Sequence, residues 1–196
     1  MVKTTMPVSL PWTDDPEACR LIAQDPNALL IGFALDQQVP VPKAFAGPYV
    51  IKQRLGHLDP GRIAATDPAT LEAVFRERPA IHRFPGSMAQ RVQALSTDIA
   101  QRFGGDGSRV WTEAVTGEDM VARIGSLPGF GDMKVRSLTA TLIKQFGVHP
   151  EGYERVLPNH PTLGDVDSPE ALVAYQTAKR EHKRQMREQQ AHKGAT

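Results

Sequence analysis

The chain has 196 residues, 40% of them hydrophobic and 23% charged, with a formal net charge of +1, a composition that supports a packed core and excludes a disordered or collagen-like chain. The lone cysteine, Cys19, excludes an internal disulfide, a Cys-only zinc site and an iron–sulfur cluster within the chain, and the near-balanced charge leaves any nucleic-acid surface to local placement of Lys and Arg. Met1 to Pro11 holds no long apolar run, which predicts no signal peptide, and no stretch approaches the roughly 18 apolar residues of a membrane span, so the expectation is a cytoplasmic protein with no membrane partner.

Proline placement predicts where helices start. In Asp15-Pro16, Asp25-Pro26, Asp59-Pro60, Asp67-Pro68 and Ser168-Pro169, a side-chain oxygen accepts from free N–H groups while Pro occupies the first helical position, where its missing N–H is not needed. In chain order the predicted helices are Pro16–Gln24, Pro26–Gln38, Pro42–Leu55, Pro60–Ala65, Pro68–Arg78, Gly86–Phe103, Gly117–Ser126, Asp132–Phe146 and Pro169 to near Gln190. Leu29, Leu30, Phe33 and Ala34 give the second helix a wide apolar face, which predicts a central, buried position. Met88, Val92, Leu95 and Ile99 form one core stripe, and Leu138, Leu142 and Phe146 another. Strand signals are short and lack alternation, so the class is all-α. The Pro-, Gly-, Asn- and Asp-rich stretch Val148–Ser168 reads as a long loop. A helical domain is expected over residues 12–175, followed by a basic helix or tail over 176–196 carrying Lys179, Arg180, Lys183, Arg184, Arg187 and Lys193.

Leu127-Pro128-Gly129-Phe130-Gly131 separates two helical stretches by a tight turn with alternating glycines. Glycine admits positive φ and close approach of another backbone. The N–H groups at the start of the next helix carry partial positive charge and suit a phosphate. Lys134 lies in the first turn of that helix, and Phe130 is placed to anchor the turn to both helices.

The stretch "LPGFG" resembles the hairpin of the helix-hairpin-helix Gly-Pro-Asp (HhH-GPD) superfamily of base-excision DNA glycosylases. "DPNALLIGFALDQQVPVPKA", Asp25 to Ala44, is similar to the family's early core helix with its glutamine-bearing turn. "FPGSMAQRVQAL", Phe84 to Leu95, is similar to the start of its middle helix. Order and spacing agree over about Asp25 to Phe146, closest to small members without an iron–sulfur cluster. The resemblance implies a two-lobed all-α fold and a monomer. Its partner would be double-stranded DNA with a damaged or mismatched base, and its activity removal of that base after flipping it from the duplex. It also implies DNA contacts from Leu127, Gly129, Phe130, Gly131, Lys134 and Gln38, with Gln38 entering the hole left by the flipped base. A monovalent cation at the hairpin carbonyls would be the only cofactor; no metal ligands are expected, and His149 and His160 lack metal-site spacing.

Two departures from the family bear on chemistry. The family's lysine nucleophile aligns with Met133, which cannot form a Schiff base. Lys134 stands about 100° further round the helix and is expected to face elsewhere. The implied activity is therefore a monofunctional glycosylase rather than a lyase. The family aspartate, at the start of the helix after the hairpin pair, has no exact match. Glu151 stands at the right distance, and Asp165 and Asp167 lie further on at a helix start. The catalytic acid is one of these three, or else the chain is a non-catalytic DNA-binding module. Tyr49, His82, Trp111 and Tyr153 are candidate stacking surfaces for a base, against ordinary packing.

Overall fold

A computed structural model describes residues 2–193; the side chains at 182, 183, 186, 187 and 189–193, and so those of Lys183, Arg187 and Lys193 in the basic tail, lie outside the description. Among the described residues every regular element is helical. The one extended pairing is an isolated parallel bridge between Thr116 and Glu151. The helices are α1 (Pro16–Gln24), α2 (Pro26–Leu35), α3 (Val41–Leu55), α4 (Pro60–Ala65), α5 (Pro68–Arg76), α6 (Pro85–Phe103), α7 (Arg109–Thr112), α8 (Gly117–Gly125), α9 (Asp132–Phe146) and α10 (Pro169–Lys193), with short 3-10 turns at Tyr153–Val156 and Leu163–Asp165.

The Asp-Pro starts work as expected. Asp15, Asp25, Asp59 and Asp67 each accept from backbone N–H groups two or three residues on, and Ser168 Oγ accepts from Ala171 N–H. Each such cap stabilises its helix by about 1 kcal/mol. Asp25 is shared: it ends α1 and starts α2.

Two helix ends and one additional helix differ from expectation for local reasons. α2 stops at Leu35 rather than Gln38, because Asp36 already leaves helical geometry (ψ 75°), Gln38 takes a left-handed backbone (φ 56°) and Pro40 holds the chain extended before α3. α5 stops at Arg76 instead of Arg78, ahead of Pro79. The four-residue α7 carries no helical period long enough to read. The expected boundary at 175/176 falls inside α10, which runs through it unbroken.

α2 is central. Every residue from Ala28 to Leu35 is buried, and the helix packs against α1, α3 and α6. A second group forms around α9, which packs against α8 and the two 3-10 turns, with α7 lying against α8. The segment before α1 joins the groups. Val2 N–H donates to Thr112 O (2.9 Å) and Thr5 N–H to Phe146 O (2.8 Å). Trp12 is fully buried, edge-on to Phe33 and Phe45 at 6.0 and 4.8 Å, and its indole N–H donates to Val166 O across the molecule (3.1 Å). The long loop is ordered by the same contacts, with Leu163 and Val166 buried.

A buried carbonyl deprived of its donor costs about 1–3 kcal/mol. Trp12→Phe keeps the aromatic contacts and orphans Val166 O, so urea denaturation is expected to show a stability loss of about that size.

Candidate functional site

The site grows from the C-terminal end of α2. A helix leaves its last four carbonyls without intrahelical partners, and this end is surrounded by protein. Asp36 N–H serves Gly32 O (3.1 Å), and Gln37 N–H serves Leu35 O (2.7 Å). Ala34 O accepts from the Lys134 ammonium, which reaches over from α9 (2.9 Å). A cation at this negative helix end is electrostatically favourable. Gln37 is held in turn: its carbonyl accepts from His82 Nε2 (3.0 Å), and its side-chain oxygen accepts from the Arg91 guanidinium of α6.

Arg91 then crosses to the hairpin. Gly129 has φ 82°, and a Cβ there would come within 2.8 Å of Arg91 Cδ, so this glycine is required twice over, by conformation and by the arginine lying on it. Gly131 is different. Its φ is −87° and a Cβ would meet nothing within 4 Å. Nothing inside the molecule demands glycine there. No side chain caps the N-terminus of α9, and its first backbone bonds run from Lys134 and Val135 to Gly131 O. Gln37, Arg91, Gly129, Gly131 and Lys134 line an open cavity of about 560 Å³.

The amine of Lys134 is half-buried, 6.0 Å from the Phe130 ring centroid, and is pushed down to about 8 by burial and by the neighbouring Arg91 charge, with Asp36 opposing. On the other side of Asp36 lies a larger cavity, about 740 Å³, walled by Gln38, Val39, Arg83 and, from α10, Lys179 and Arg180. Burial raises the Asp36 carboxyl above the usual range, against the pull of Lys179 and Lys134. Tyr175 is pushed up to about 12 by burial and by the charges of Asp36 and Asp165.

The residues singled out by sequence are not all brought together. Leu127 and Phe130, expected as DNA contacts, are buried under the turn, whose exposed backbone is that of Gly129 and Gly131. Met133 points to solvent, 69% exposed. Lys134 faces the cleft, correcting the expectation that it turns away: the turn from Met133 to Lys134 carries the latter inward. Gln38 is exposed and borders the larger cavity; its neighbour Gln37 reaches the hairpin.

None of the three expected carboxylates lies against the hairpin. Glu151 is exposed and its backbone pairs with Val115 (3.3 Å) and Gly117 (2.8 Å) at the start of α8, about 13 Å of helix away from the turn. Asp165 forms a capping box with Thr162 and an ion pair with Lys144, ten residues beyond Lys134 on α9, or about 15 Å of helix. Burial opposes its ionisation, but hydrogen bonds from Lys144 and Thr162 hold the carboxyl below the usual range. Asp167 is exposed, and the α10 cap is Ser168 instead. Trp111 and His82 are buried, Tyr153 is stacked on His149 (4.3 Å), and Tyr49 borders a separate cavity.

Sequence reasoning passed over Asp36, Gln37 and Arg91. The signal for the first two was present: two polar residues directly after a wholly apolar helix. Arg91 gave none, because its role depends on where α6 passes the hairpin. Among the described residues no three His, Cys, Asp or Glu side chains converge to hold a metal, and no helix is long and apolar enough to cross a membrane. Compared with known proteins, the chain matches no family model and no curated protein.

His82 supplies a pH-dependent element. Its Nδ1 accepts from Phe84 N–H (3.0 Å) while Nε2–H donates to Gln37 O, so the neutral ring is the one that fits. Burial holds its pKa below the ordinary 6.5. The unfolded chain therefore takes up the proton first, and stability falls as pH drops through about 6.5 toward the lower folded value. Thermal unfolding between pH 7.5 and 5 is expected to show a falling Tm, with a shallower fall in His82→Gln, whose amide donates without titrating.

Proposed function

We propose that this chain is a monofunctional DNA glycosylase of base-excision repair, with a two-lobed architecture of the HhH-GPD type. On this reading it binds duplex DNA around a damaged or mismatched base and hydrolyses the N-glycosidic bond of the flipped nucleotide. The supporting observation is the hairpin edge. Gly131 has ordinary backbone geometry and open space around it, at an uncapped helix start flanked by Arg91 and Lys134, with the exposed Asp132 carboxylate as the one opposing charge on the same cavity wall. What a side chain there would obstruct is an approach from outside, and the chemistry facing outward suits a phosphate. Lys134, engaged with Ala34 O, acts as a fixed positive charge beside that phosphate.

A second reading is a non-catalytic DNA-binding module. It is favoured by the placement of Glu151, Asp165 and Asp167 away from the hairpin.

Two measurements separate these readings. Duplexes carrying uracil, hypoxanthine, oxidised guanine or an alkylated purine are expected to lose one of these bases on incubation, with no borohydride-trapped adduct. An adduct that disappears in Lys134→Ala would instead establish a lyase, and salt-sensitive binding with no release would establish the module. Gly131→Val is expected to leave Tm unchanged and to weaken duplex binding by about tenfold, the loss that follows removal of a hydrogen bond to a charged group. Unchanged affinity would remove the hairpin from the interface.

A further inference from the structure

We infer that Asp36 is the carboxylate that acts on the sugar of the flipped nucleotide, which is received in the cavity between the end of α2 and α10. The inference rests on the glycosylase reading and supplies the group that Glu151, Asp165 and Asp167 are badly placed to provide.

Asp36 directly follows the last residue of α2 and lines the larger cavity, while Lys134 of the hairpin helix lies on its other side. It is thus a carboxylate on the wall of a cavity bordered by α10, near enough to Lys134 for their charges to interact. Among the described residues no hydrogen bond and no ion pair reaches its side chain, and whereas Asp132, Glu151 and Asp167, equally without such a bond, are exposed, Asp36 is half-buried. Its position is unfavourable by ordinary rules: an acid half-buried at the negative end of a helix. Local rules are broken in this way chiefly at functional sites. Burial also raises its proton affinity, which suits a group that must take a proton near neutral pH.

The surroundings fit a nucleotide. Arg83, Lys179 and Arg180 offer positive charge for the flanking phosphates, Gln38 offers amide hydrogen bonds, and Val39 an apolar wall. In the reaction, the bond between the sugar C1′ and the base nitrogen breaks and its electron pair leaves with the base. Ionised Asp36 stabilises the positive charge on the sugar and accepts a proton from the water whose oxygen bonds to C1′. That proton then passes to the departing nitrogen, leaving free base, an abasic sugar and the carboxylate restored.

The test is single-turnover base release by Asp36→Asn and Asp36→Glu on whichever duplex the wild type processes. It is run beside Tm and affinity for a duplex containing a tetrahydrofuran abasic analogue. Asp36→Asn is expected to slow release about 100-fold or more with affinity within about twofold and Tm unchanged or raised; Asp36→Glu recovers part of the rate. Release at the wild-type rate in Asp36→Asn overturns the assignment and leaves the glycosylase reading intact. So does a loss of release that comes with a lower Tm and weaker binding, which marks a structural role, or a loss confined to Glu151→Gln or Asp165→Asn. A wild type that releases no base overturns the glycosylase reading, and this assignment with it.

Discussion

A buried helix end must find donors, and the structure is arranged around that requirement at the C-terminus of α2. The helix is apolar on every side, so it can only sit at the centre of the molecule. Its last carbonyls then terminate inside protein rather than in water. Ala34 O is served by Lys134 from α9, while Leu35 O is served by Gln37, which His82 and Arg91 hold in place. One electrostatic need thus draws together α2, α6, α9 and the chain around His82.

The cleft inherits its charge from this arrangement. Lys134 and Arg91 are where they are because one serves a helix end and the other ties Gln37 to the hairpin, yet together they set two cations, with the Asp132 carboxylate, around exposed glycine backbone. Burial, with the neighbouring Arg91 charge adding to it, is why the lysine amine sits near 8. Lys134 is a structural cap first, and under the proposed function also a charge beside the phosphate, so substitutions there would act on stability and binding together. Gly129 and Gly131 divide the labour differently: the first is fixed by conformation and the contact with Arg91, the second by nothing internal.

α10 gives the cleft its second wall. The basic residues Lys179 and Arg180 face the end of α2 across a cavity, so the helix belongs to the site for at least part of its length. Its first turn is fixed by Ser168 and by buried Leu172, and the loop before it is held by Val166 O on Trp12. The indole of Trp12 therefore links the aromatic cluster beneath α2 and α3 to the segment that delivers α10.

Much of the fold was legible in the chain because it is written locally. An Asp or Ser before Pro, an apolar stripe at helical spacing and a glycine turn each depend on neighbours a few residues apart, and the main helix starts followed from them to within a residue. All-α class and the central place of α2 came the same way, and so did the hairpin itself. Which side chains share a cavity depends instead on how helices distant in sequence cross. Lys134 and Ala34 are 100 residues apart, Arg91 and Gln37 are 54 apart, and no spacing rule links them. For that reason the sequence pointed to Gln38 and to three carboxylates beyond α9, while packing brought Gln37 and Arg91 to the hairpin and Asp36 to the cavity bordered by α10. The sequence by itself determined the helices, their caps and the turn that faces outward. Only the tertiary structure decided which charges meet there, because that choice is made by the buried end of α2 and the donors that reach it.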